Sequence, residues 1–344
     1  MITSKRPEIK HILLKNKLKV AVLGGGSWAT ALIKILIENK RNVGWYVRSE
    51  KNKNFIEKNQ YNPNYLTSTT LKTKRLKIST DMNSVVNRAD IIIVAIPSAF
   101  IIDEFAKLHI PLRDKIMVSA VKGVLPENMK IPGTYFNEDH GVPLDRIGVV
   151  CGPCHAEEVA MEKLSYLTIA CQNETYAKCI ASMLKTKYIR TTISNDIIGT
   201  EYASMLKNIY AIAAGIAHGL GYGDNFQSVL MSNAIRETKR FIKDLHKMKR
   251  NINNSAYLGD LLVTGYSVFS RNRSFGNMIG KGYTVKAAQL EMNMIAEGYY
   301  ATKSARFINS EFKTQTPIIE AVFLILYEGK RPGKVFEKLT KKLD

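Results

Sequence analysis

The sequence predicts an α/β domain built on a mainly parallel sheet, followed by an all-α domain. Between residues 18 and 150, short apolar runs alternate with amphipathic stretches of helical periodicity. This order is typical of βαβ units. After about residue 193 the pattern changes to long stretches of helical periodicity joined by short connections. We therefore expect two domains, residues 18–193 and 194–344, with a boundary near Thr192–Asn195 and a ligand cleft between them.

The individual elements follow from the same patterns. The stretch WATALIKILIEN (28–39) has the periodicity of a helix. The basic stretch RETKRFIKDLHKMKR (236–250) predicts one helix, with Phe241, Ile242 and Leu245 on a buried stripe and its cations in water. Five apolar runs predict buried strands: LKVAVLG (18–24), NVGWYV (42–47), DIIIVAIP (90–97), KIMVSAV (115–121) and RIGVVCG (146–152).

The composition disfavours exported and membrane proteins. Four cysteines in 344 residues are too few for a disulfide framework, so we expect a cytoplasmic protein. Residues 1–17 are basic but lack the apolar core of a secretory signal, and we interpret them as an N-terminal extension without an assigned role. The longest apolar run, IIIVAIPSAFII, is too short to span a bilayer and contains Pro97, so no stable membrane insertion is expected.

The net charge of +20 raises the question of an anionic partner. The cations are mostly scattered, and no basic motif interleaved with aromatic residues occurs. A lysine-rich surface that keeps the protein dispersed explains this distribution, so we expect no nucleic-acid partner. A small anionic substrate accounts for only a few of these charges.

The first predicted strand ends in a glycine-rich turn, GGGSWAT. Gly24, Gly26 and Ala29 form G-x-G-x-x-A between a strand and a helix. The first glycine permits the tight turn, the second allows close approach of a pyrophosphate, and the small third residue allows helix–strand packing. A purely structural turn is the alternative, but the strand–turn–helix context favours dinucleotide binding by residues 18–193.

The second predicted strand is followed by Arg48. An acidic residue that binds a ribose 2′-hydroxyl is usual at this point, and a cation suits a 2′-phosphate instead. The sequence therefore favours NADP(H). Glu50 lies two residues later, so NAD(H) remains open.

Two lysines occur in small or apolar surroundings. Lys122 ends a predicted strand, where open α/β sheets bind ligands. Lys207 lies within an apolar helix, where it either extends to water or faces a cleft. In a cleft, burial and a second cation lower the pKa of an amine towards the range of general acid–base catalysis.

Residues 258–276 combine polar donors with the apolar run LLV. Arginine binds phosphate oxygens through a planar fork, and hydroxyl and amide groups add further donors. The alternative is a loop exposed to solvent, but the neighbouring apolar run LLV disfavours full exposure of this segment to water. The residues of this polar cluster are Asp260, Thr264, Ser270, Arg271, Asn272 and Arg273.

The stretch CGPCH (151–155) matches two unrelated redox signatures. Cys151 and Cys154 have the spacing of a thioredoxin site, and His155 completes a haem-attachment pattern. A zinc site lacks further nearby ligands, so no metal is expected. Because the stretch follows a predicted strand and is rich in helix-start residues, with Pro153 in an early turn, we interpret the match as a coincidence.

Several motifs in this order resemble the NAD(P)-dependent glycerol-3-phosphate dehydrogenase family of bacterial type. The resemblance runs from about Lys19 to Gly298 and implies a Rossmann-type domain followed by a helical catalytic domain. It implies interconversion of dihydroxyacetone phosphate and sn-glycerol 3-phosphate for phospholipid synthesis, and a homodimer. The motifs are GGGSWAT, VKG, GP-x-x-A-E-E, EYASMLKNIYAIAAGI-x-x-GLGYGDN, GDLLVT and SRNRSFG.

The resemblance also implies roles for individual residues. Lys207 matches the group that exchanges a proton with the C2 oxygen, and Asp260 and Lys122 match its catalytic partners. The implied cofactor contacts are Gly24, Gly26, Ser27, Trp28, Arg48, Lys122, Ala156, Arg271, Ile295 and Glu297. The implied substrate contacts are Lys122, Gly152, Cys154, Lys207, Asp260, Thr264, Ser270, Arg271 and Asn272.

The chain departs from the family pattern at two places. Cys154 and His155 stand where the family commonly has serine and phenylalanine, and Asn233 replaces an arginine. Two alternatives to the dehydrogenase remain: a related β-hydroxyacid or ketopantoate-type reductase, and a dinucleotide sensor without catalysis. The phosphate-binding donors disfavour the first, and the joint presence of Lys207, Asp260 and Arg271 disfavours the second.

Overall fold

The computed structural model of the chain describes residues 18–292 and 296–344. An eight-stranded sheet has the order β3-β2-β1-β4-β5-β6-β7-β8. Adjacent strands are parallel except for the antiparallel pair β6–β7. The strands are β1 Val20–Leu23, β2 Val43–Tyr46, β3 Leu76–Ser79, β4 Ile91–Val94, β5 Ile116–Ser119, β6 Ile147–Cys151, β7 Ser165–Cys171 and β8 Ile189–Ser194.

Helices accompany the strands and then form the second half of the chain. The helices of the sheet-containing half are α1 Ser27–Glu38, α2 Glu50–Asn59, α3 Met82–Arg88, α4 Ile101–Phe105, α5 Pro132–Glu138, α6 Ala156–Ala160 and α7 Glu174–Leu184. The later helices are α8 Ile197–Gly219, α9 Asp224–Leu245, α10 Asp260–Tyr266, α11 Arg271–Gly280, α12 Val285–Glu291, α13 Glu297–Phe312, α14 Pro317–Leu326 and α15 Pro332–Thr340. This architecture confirms the predicted fold class.

The sheet is covered on both faces, as a parallel sheet requires. Side chains alternate between the faces along β1: Val20 and Val22 join one apolar core, and Ala21 and Leu23 join the other. The last strand, β8, ends at Ser194, and α8 begins at Ile197. Because β7 and β8 run opposite to β1–β6, α8 begins near the amino end of β6, and its later residue Lys207 reaches the cleft at the carboxyl ends of β4 and β5.

Helix α8 is the centre of the helical half, and most of its residues are buried. Helix α11 crosses it at backbone contact distance. A β-carbon on Gly276 of α11 would overlap the carbonyl of Ile212, and a β-carbon on Gly215 of α8 would overlap the carbonyl of Arg273. This close crossing brings the first residues of α11 to the wall of the cleft.

Two local expectations were wrong. The basic stretch 236–250 is not one helix: α9 ends at Leu245, and Arg250 turns back to form an ion pair with Asp196. Pro153 does not lie in a helical turn, because α6 begins at Ala156. Glu157 and Glu158 do occupy the first turn of α6, as predicted. Among the described residues, no helix combines the length and the apolar character needed to cross a membrane.

Candidate active site

The glycine turn between β1 and α1 leaves open space at its surface. Gly24 has φ +124°, and a β-carbon there would lie 2.5 Å from the carbonyl oxygen of Ala95. At Gly26, by contrast, a β-carbon would meet no protein atom within 4 Å. Gly26 caps α1 without a side-chain hydrogen bond, so the first N–H groups of the helix remain available. These features fit a pyrophosphate at the helix N-terminus.

Two residues that the sequence analysis missed hold this turn. Trp45 Nε1 donates to the carbonyl of Gly24 at 2.7 Å, and Asn62 Nδ2 donates to the carbonyl of Gly25 at 3.0 Å. Asn62 is buried although it belongs to an irregular segment. The tryptophan in the second predicted strand was a sequence feature that could have suggested a contact with the turn. The position of Asn62 could not be predicted, because it depends on the path of a loop.

A cleft of about 390 Å³ lies between the glycine turn, the ends of β4 and β5, and the helical half. It brings together residues that are far apart in the chain. The predicted site residues that line it are Gly26, Ser27, Trp28, Lys122, Cys154, Ala156, Lys207, Thr264, Ser270, Arg271, Asn272 and Glu297.

A buried ion pair lies at the wall of this cleft. Lys207 of α8 and Asp260 of α10 are 4% and 1% exposed, and Lys207 Nζ lies 2.5 Å from Asp260 Oδ1. Burial lowers the pKa of Lys207 to about 8, although the charge of Asp260 raises it, and Lys122 lowers it further. The amine can therefore exchange a proton near neutral pH. Asp260 Oδ2 is buried and has no hydrogen-bond partner.

Lys122 approaches the same pair from the sheet. Its Nζ lies 3.5 Å from the carbonyl oxygen of Cys154 and 5.4 Å from the centre of the Trp28 ring. The backbone carbonyl of Lys122 accepts a hydrogen bond of 2.6 Å from Asn208 Nδ2. This contact ties the end of β5 to α8, so the two lysines hold a defined separation.

Asn208 was missed by the sequence analysis. Its Oδ1 accepts from Asn272 Nδ2 at 3.0 Å, and Asn272 Oδ1 in turn accepts from the N–H of Gly298 at 2.9 Å. The two amides thus connect α8, α11 and α13. Asn208 could have been recognised from the sequence, because it is a polar residue that directly follows Lys207 in an otherwise apolar helix.

Arg271 connects the helical half to the glycine turn. Its Nη2 donates to Ser27 Oγ at 2.7 Å and lies 3.9 Å from the carboxylate of Glu157. Glu297 makes a second connection, because its carboxylate accepts from the N–H of Ser98 at 3.1 Å and from the Ser98 hydroxyl at 2.5 Å. Burial raises the pKa of Glu297. The hydroxyl of Ser270 caps α11 by accepting from the N–H of Arg273.

Four predicted residues do not line the cleft itself. Asp260 lies behind Lys207, and Gly24 shapes the glycine turn. Gly152 has φ +116°, and a β-carbon there would lie 2.8 Å from the carbonyl oxygen of Tyr166, so it shapes the chain before Cys154. Arg48 is exposed beyond the end of β2. Ile295 lies outside the described residues, as does the extension 1–17.

The cysteines do not have the properties of a thiol redox site. Cys151 and Cys154 are 1% and 3% exposed, and burial raises the pKa of each thiol to about 12. Redox exchange requires a thiolate. These thiols stay protonated at neutral pH, which supports the interpretation of CGPC as a coincidence.

The departure at Asn233 is accommodated within the helical half. Asn233 is buried, and its Nδ2 donates to the backbone carbonyls of Val229 and Asp344. It therefore ties α9 to the last residue of the chain.

Comparison with known proteins decides the family. A model of the N-terminal part of NAD-dependent glycerol-3-phosphate dehydrogenase matches residues 19–177, and a model of its C-terminal part matches residues 196–337. The chain belongs to this family. It is 33% identical to glycerol-3-phosphate dehydrogenase (NAD(P)+) of Exiguobacterium sp., over 94% of this chain and 95% of that one. It is 32% identical to the enzyme of the same name from Bacillus pumilus, over 94% of each chain.

A solved structure shows the same fold in the same family. The crystal structure of glycerol-3-phosphate dehydrogenase from Coxiella burnetii superimposes with a TM-score of 0.87. It is 26% identical, and the superposition covers 94% of this chain and 99% of that chain. The resemblance drawn from the sequence motifs is thereby confirmed.

Proposed function

We propose that this protein reduces dihydroxyacetone phosphate to sn-glycerol 3-phosphate with NADH or NADPH and so supplies glycerophospholipid synthesis. The observation that carries this proposal is the buried Lys207–Asp260 pair at the wall of the cleft. The same cleft holds a glycine turn suited to a dinucleotide and an arginine suited to a phosphate.

The residues around the glycine turn fit a dinucleotide cofactor. Open space at Gly26 and the free N–H groups of α1 would receive the pyrophosphate. Ser27, Trp28, Ala156, Arg271 and Glu297 line the adjoining wall and would orient the rest of the cofactor. When bound, the reduced nicotinamide supplies the hydride.

The segment 264–272 would hold the phosphate of the substrate. Arg271 offers a planar cationic fork, and Asn272, Thr264 and Ser270 place amide and hydroxyl groups on the same wall. Cys154 and Lys122 line the same cleft and follow strands β6 and β5 of the sheet. An anionic substrate would thus be fixed at one end, with its carbonyl near the lysines.

The two lysines of the cleft would stabilise and then neutralise the negative charge that develops on the carbonyl oxygen. Lys122 and Lys207 would stabilise the negative oxygen at C2, and Lys207 would then donate the proton that completes the alcohol. Asp260 keeps the Lys207 ammonium oriented and raises its pKa, so the donor remains charged near neutral pH. The reverse reaction uses the neutral amine as the base.

One assay tests the proposed function. The purified protein should oxidise NADPH or NADH when dihydroxyacetone phosphate is added, with sn-glycerol 3-phosphate as the product. Ketopantoate should give no comparable rate, because it has no phosphate for Arg271. Turnover of ketopantoate but not of dihydroxyacetone phosphate would establish the alternative reductase instead.

We further propose a preference for NADPH, supported by Arg48. The two carboxylate oxygens of Glu50 accept hydrogen bonds from Lys53 and from Thr80, each at 2.8 Å. Both oxygens therefore already have donors within the protein, which makes Glu50 less suited to bind a ribose hydroxyl. Arg48→Ala should raise the KM for NADPH more than that for NADH, since one charge-assisted hydrogen bond contributes about 1.5–3 kcal/mol. The exposed Lys51→Ala is the matched control. Equal effects of Arg48→Ala on both cofactors would remove this preference.

The remaining proposals concern organisation and location. We assign residues 18–193 to dinucleotide binding and 194–344 to substrate binding and catalysis. A homodimer is supported by the exposed apolar side chains of Met161, Leu164 and Tyr166 within one short segment. Sedimentation of the purified protein would show whether a dimer forms. The cytoplasm is supported by the four free cysteines.

A further inference from the structure

A second cavity, of about 580 Å³, lies between helix α3 and strands β1, β2 and β3. Within the described part of the chain, it shares no lining residue with the cleft. The cleft lies at the carboxyl ends of the strands, whereas this cavity includes Lys19 and Asn42, which directly precede β1 and β2. A ligand in this cavity, the α3 groove, would therefore not compete with the cofactor for space.

The floor of the α3 groove is apolar. Ala21, Gly44 and Lys77 are direct neighbours across β1, β2 and β3, so they share one face of the sheet. A β-carbon on Gly44 would lie 3.4 Å from Val85 Cγ1, which places α3 over this face. Val85 and Ala89 line the groove from the side of the helix. Lys77 is exposed and belongs to an edge strand, so the apolar floor adjoins a cation at the edge of the sheet.

Positive charge is concentrated around this floor. Among the described residues, the groove is lined by five cations and by no carboxylate. The cations are Lys19, Lys74, Arg75, Lys77 and Arg88. Arg75 donates to the carbonyl of Lys40 at 3.0 Å, and none of the other four forms an ion pair with a described residue. The neighbouring carboxylate of Asp90 accepts from the backbone N–H of Lys19 at 2.9 Å.

This charge favours an anionic ligand. Residues 1–17, which lie outside the described residues, contain five Lys or Arg and one Glu, so their sum adds positive charge. A concave surface lined by one sign of charge concentrates ions of the opposite sign. The α3 groove is therefore suited to a ligand that carries several negative charges.

The size and the lining restrict the ligand further. A phosphate ion alone would fill only a small part of the groove and would leave the apolar floor without a partner. A nucleoside has a ring for the floor, and its hydroxyl groups match the polar side chains of Asn42, Ser79 and Ser84. The attached phosphates would meet the cations, of which arginine offers a planar fork of donors. We propose that the α3 groove binds a nucleoside polyphosphate, at a site separate from the cofactor cleft.

Titration calorimetry with ATP tests this inference on the full chain. Saturating NADPH fills the cleft, so the wild-type protein should then bind one ATP per chain at the groove. Lys77→Gln/Arg88→Gln should raise the Kd for ATP at least about tenfold, because two charge-assisted contacts are lost. Both residues are exposed, and thermal unfolding should show that the variant is folded.

Lys334→Gln/Lys338→Gln is the matched control. It removes the same charge from exposed positions of α15, outside the groove lining, and should leave the Kd for ATP within about twofold. Inorganic tripolyphosphate is the second probe, because it carries the charges of ATP without the nucleoside. It should bind at least about tenfold more weakly than ATP, since the apolar floor then has no partner.

Four outcomes would overturn the inference. An unchanged Kd for ATP in Lys77→Gln/Arg88→Gln removes the groove as the site, and an equal loss in the control variant assigns the binding to the overall charge. Displacement of ATP by NADPH places ATP in the cofactor cleft instead. Binding of tripolyphosphate as tightly as ATP removes the contact between the nucleoside and the floor.

Discussion

Lys207 is the residue whose removal should affect the chemistry most directly. A ketone that accepts hydride becomes an alkoxide, and Lys207 is the buried cation with a pKa of about 8 at the cleft. We expect Lys207→Ala to lower kcat at least about 100-fold, the usual size of a general acid effect. Cofactor binding, measured by quenching of intrinsic fluorescence, should persist. A variant that keeps more than half of the wild-type turnover would contradict this role.

The pairing of Lys207 with Asp260 has a consequence for the pH profile. The amine donates a proton only below its pKa, so ketone reduction should fall as the pH rises through about 8. Asp260 raises this pKa, and Asp260→Asn should therefore move the fall to lower pH. The alcohol-oxidation rate should rise over the same interval. Profiles of kcat in both directions test this, and a shift of the Asp260→Asn profile to higher pH would have the wrong sign.

At the scale of elements, two glycines of the glycine turn are expected to serve different purposes, one in cofactor binding and one in folding. A β-carbon at Gly26 meets only open space, so Gly26→Ala should change the free energy of unfolding by less than about 0.5 kcal/mol. The added methyl group occupies the space needed by a pyrophosphate, so stabilisation by NADPH should be lost. For the wild type, NADPH at 100 times its Kd should add about 2.7 kcal/mol to the free energy of unfolding.

Gly24→Ala provides the opposite pattern. Its β-carbon would lie 2.5 Å from the Ala95 carbonyl oxygen, in a backbone conformation that L-residues rarely adopt. This variant should unfold at a lower urea concentration even without cofactor. If the two variants behave alike, the distinction between the two glycines is wrong.

The elements that the sequence predicted are those with strong local patterns. The central strands are apolar throughout, and all four residues of β1, β4 and β5 are buried. Strands β3, β7 and β8 were not singled out. Strands β3 and β8 are partly exposed and contain polar residues, whereas β7 was missed although six of its seven residues are buried. The end of α9 was misplaced because the following residues turn so that Arg250 reaches Asp196, which lies 54 positions earlier.

At the scale of the whole molecule, several side chains cross between the halves, and two of them reach segments beside the cofactor turn and strand β4. Arg271 reaches Ser27 in the glycine turn, and Glu297 reaches Ser98 beyond β4. Substrate and cofactor are therefore expected to share Arg271. Such a residue couples the binding of one ligand to the position of the other.

Arg271→Lys should weaken the binding of both ligands. Lysine keeps the charge but loses the planar fork that can hold a phosphate and Ser27 together. We expect the KM for dihydroxyacetone phosphate to rise at least about tenfold and the Kd for NADPH to rise as well. Arg273→Lys, two positions further along α11 and outside the cleft lining, is the control. A change in only one of the two ligands would show that Arg271 does not serve both.

The sequence by itself determined the fold class, the glycine turn and, through its resemblance to a family, most of the candidate site residues. These features depend on neighbours in the chain: periodicity reports which side chains are buried, and a turn is encoded within a few residues. The tertiary structure decided the rest. Lys207 and Asp260 are 53 positions apart, and their separation, their burial and the lowered pKa of the amine arise only when α8 and α10 pack together. The Asn208–Asn272 bridge and the α3 groove have the same origin, because contacts between distant residues are set by packing.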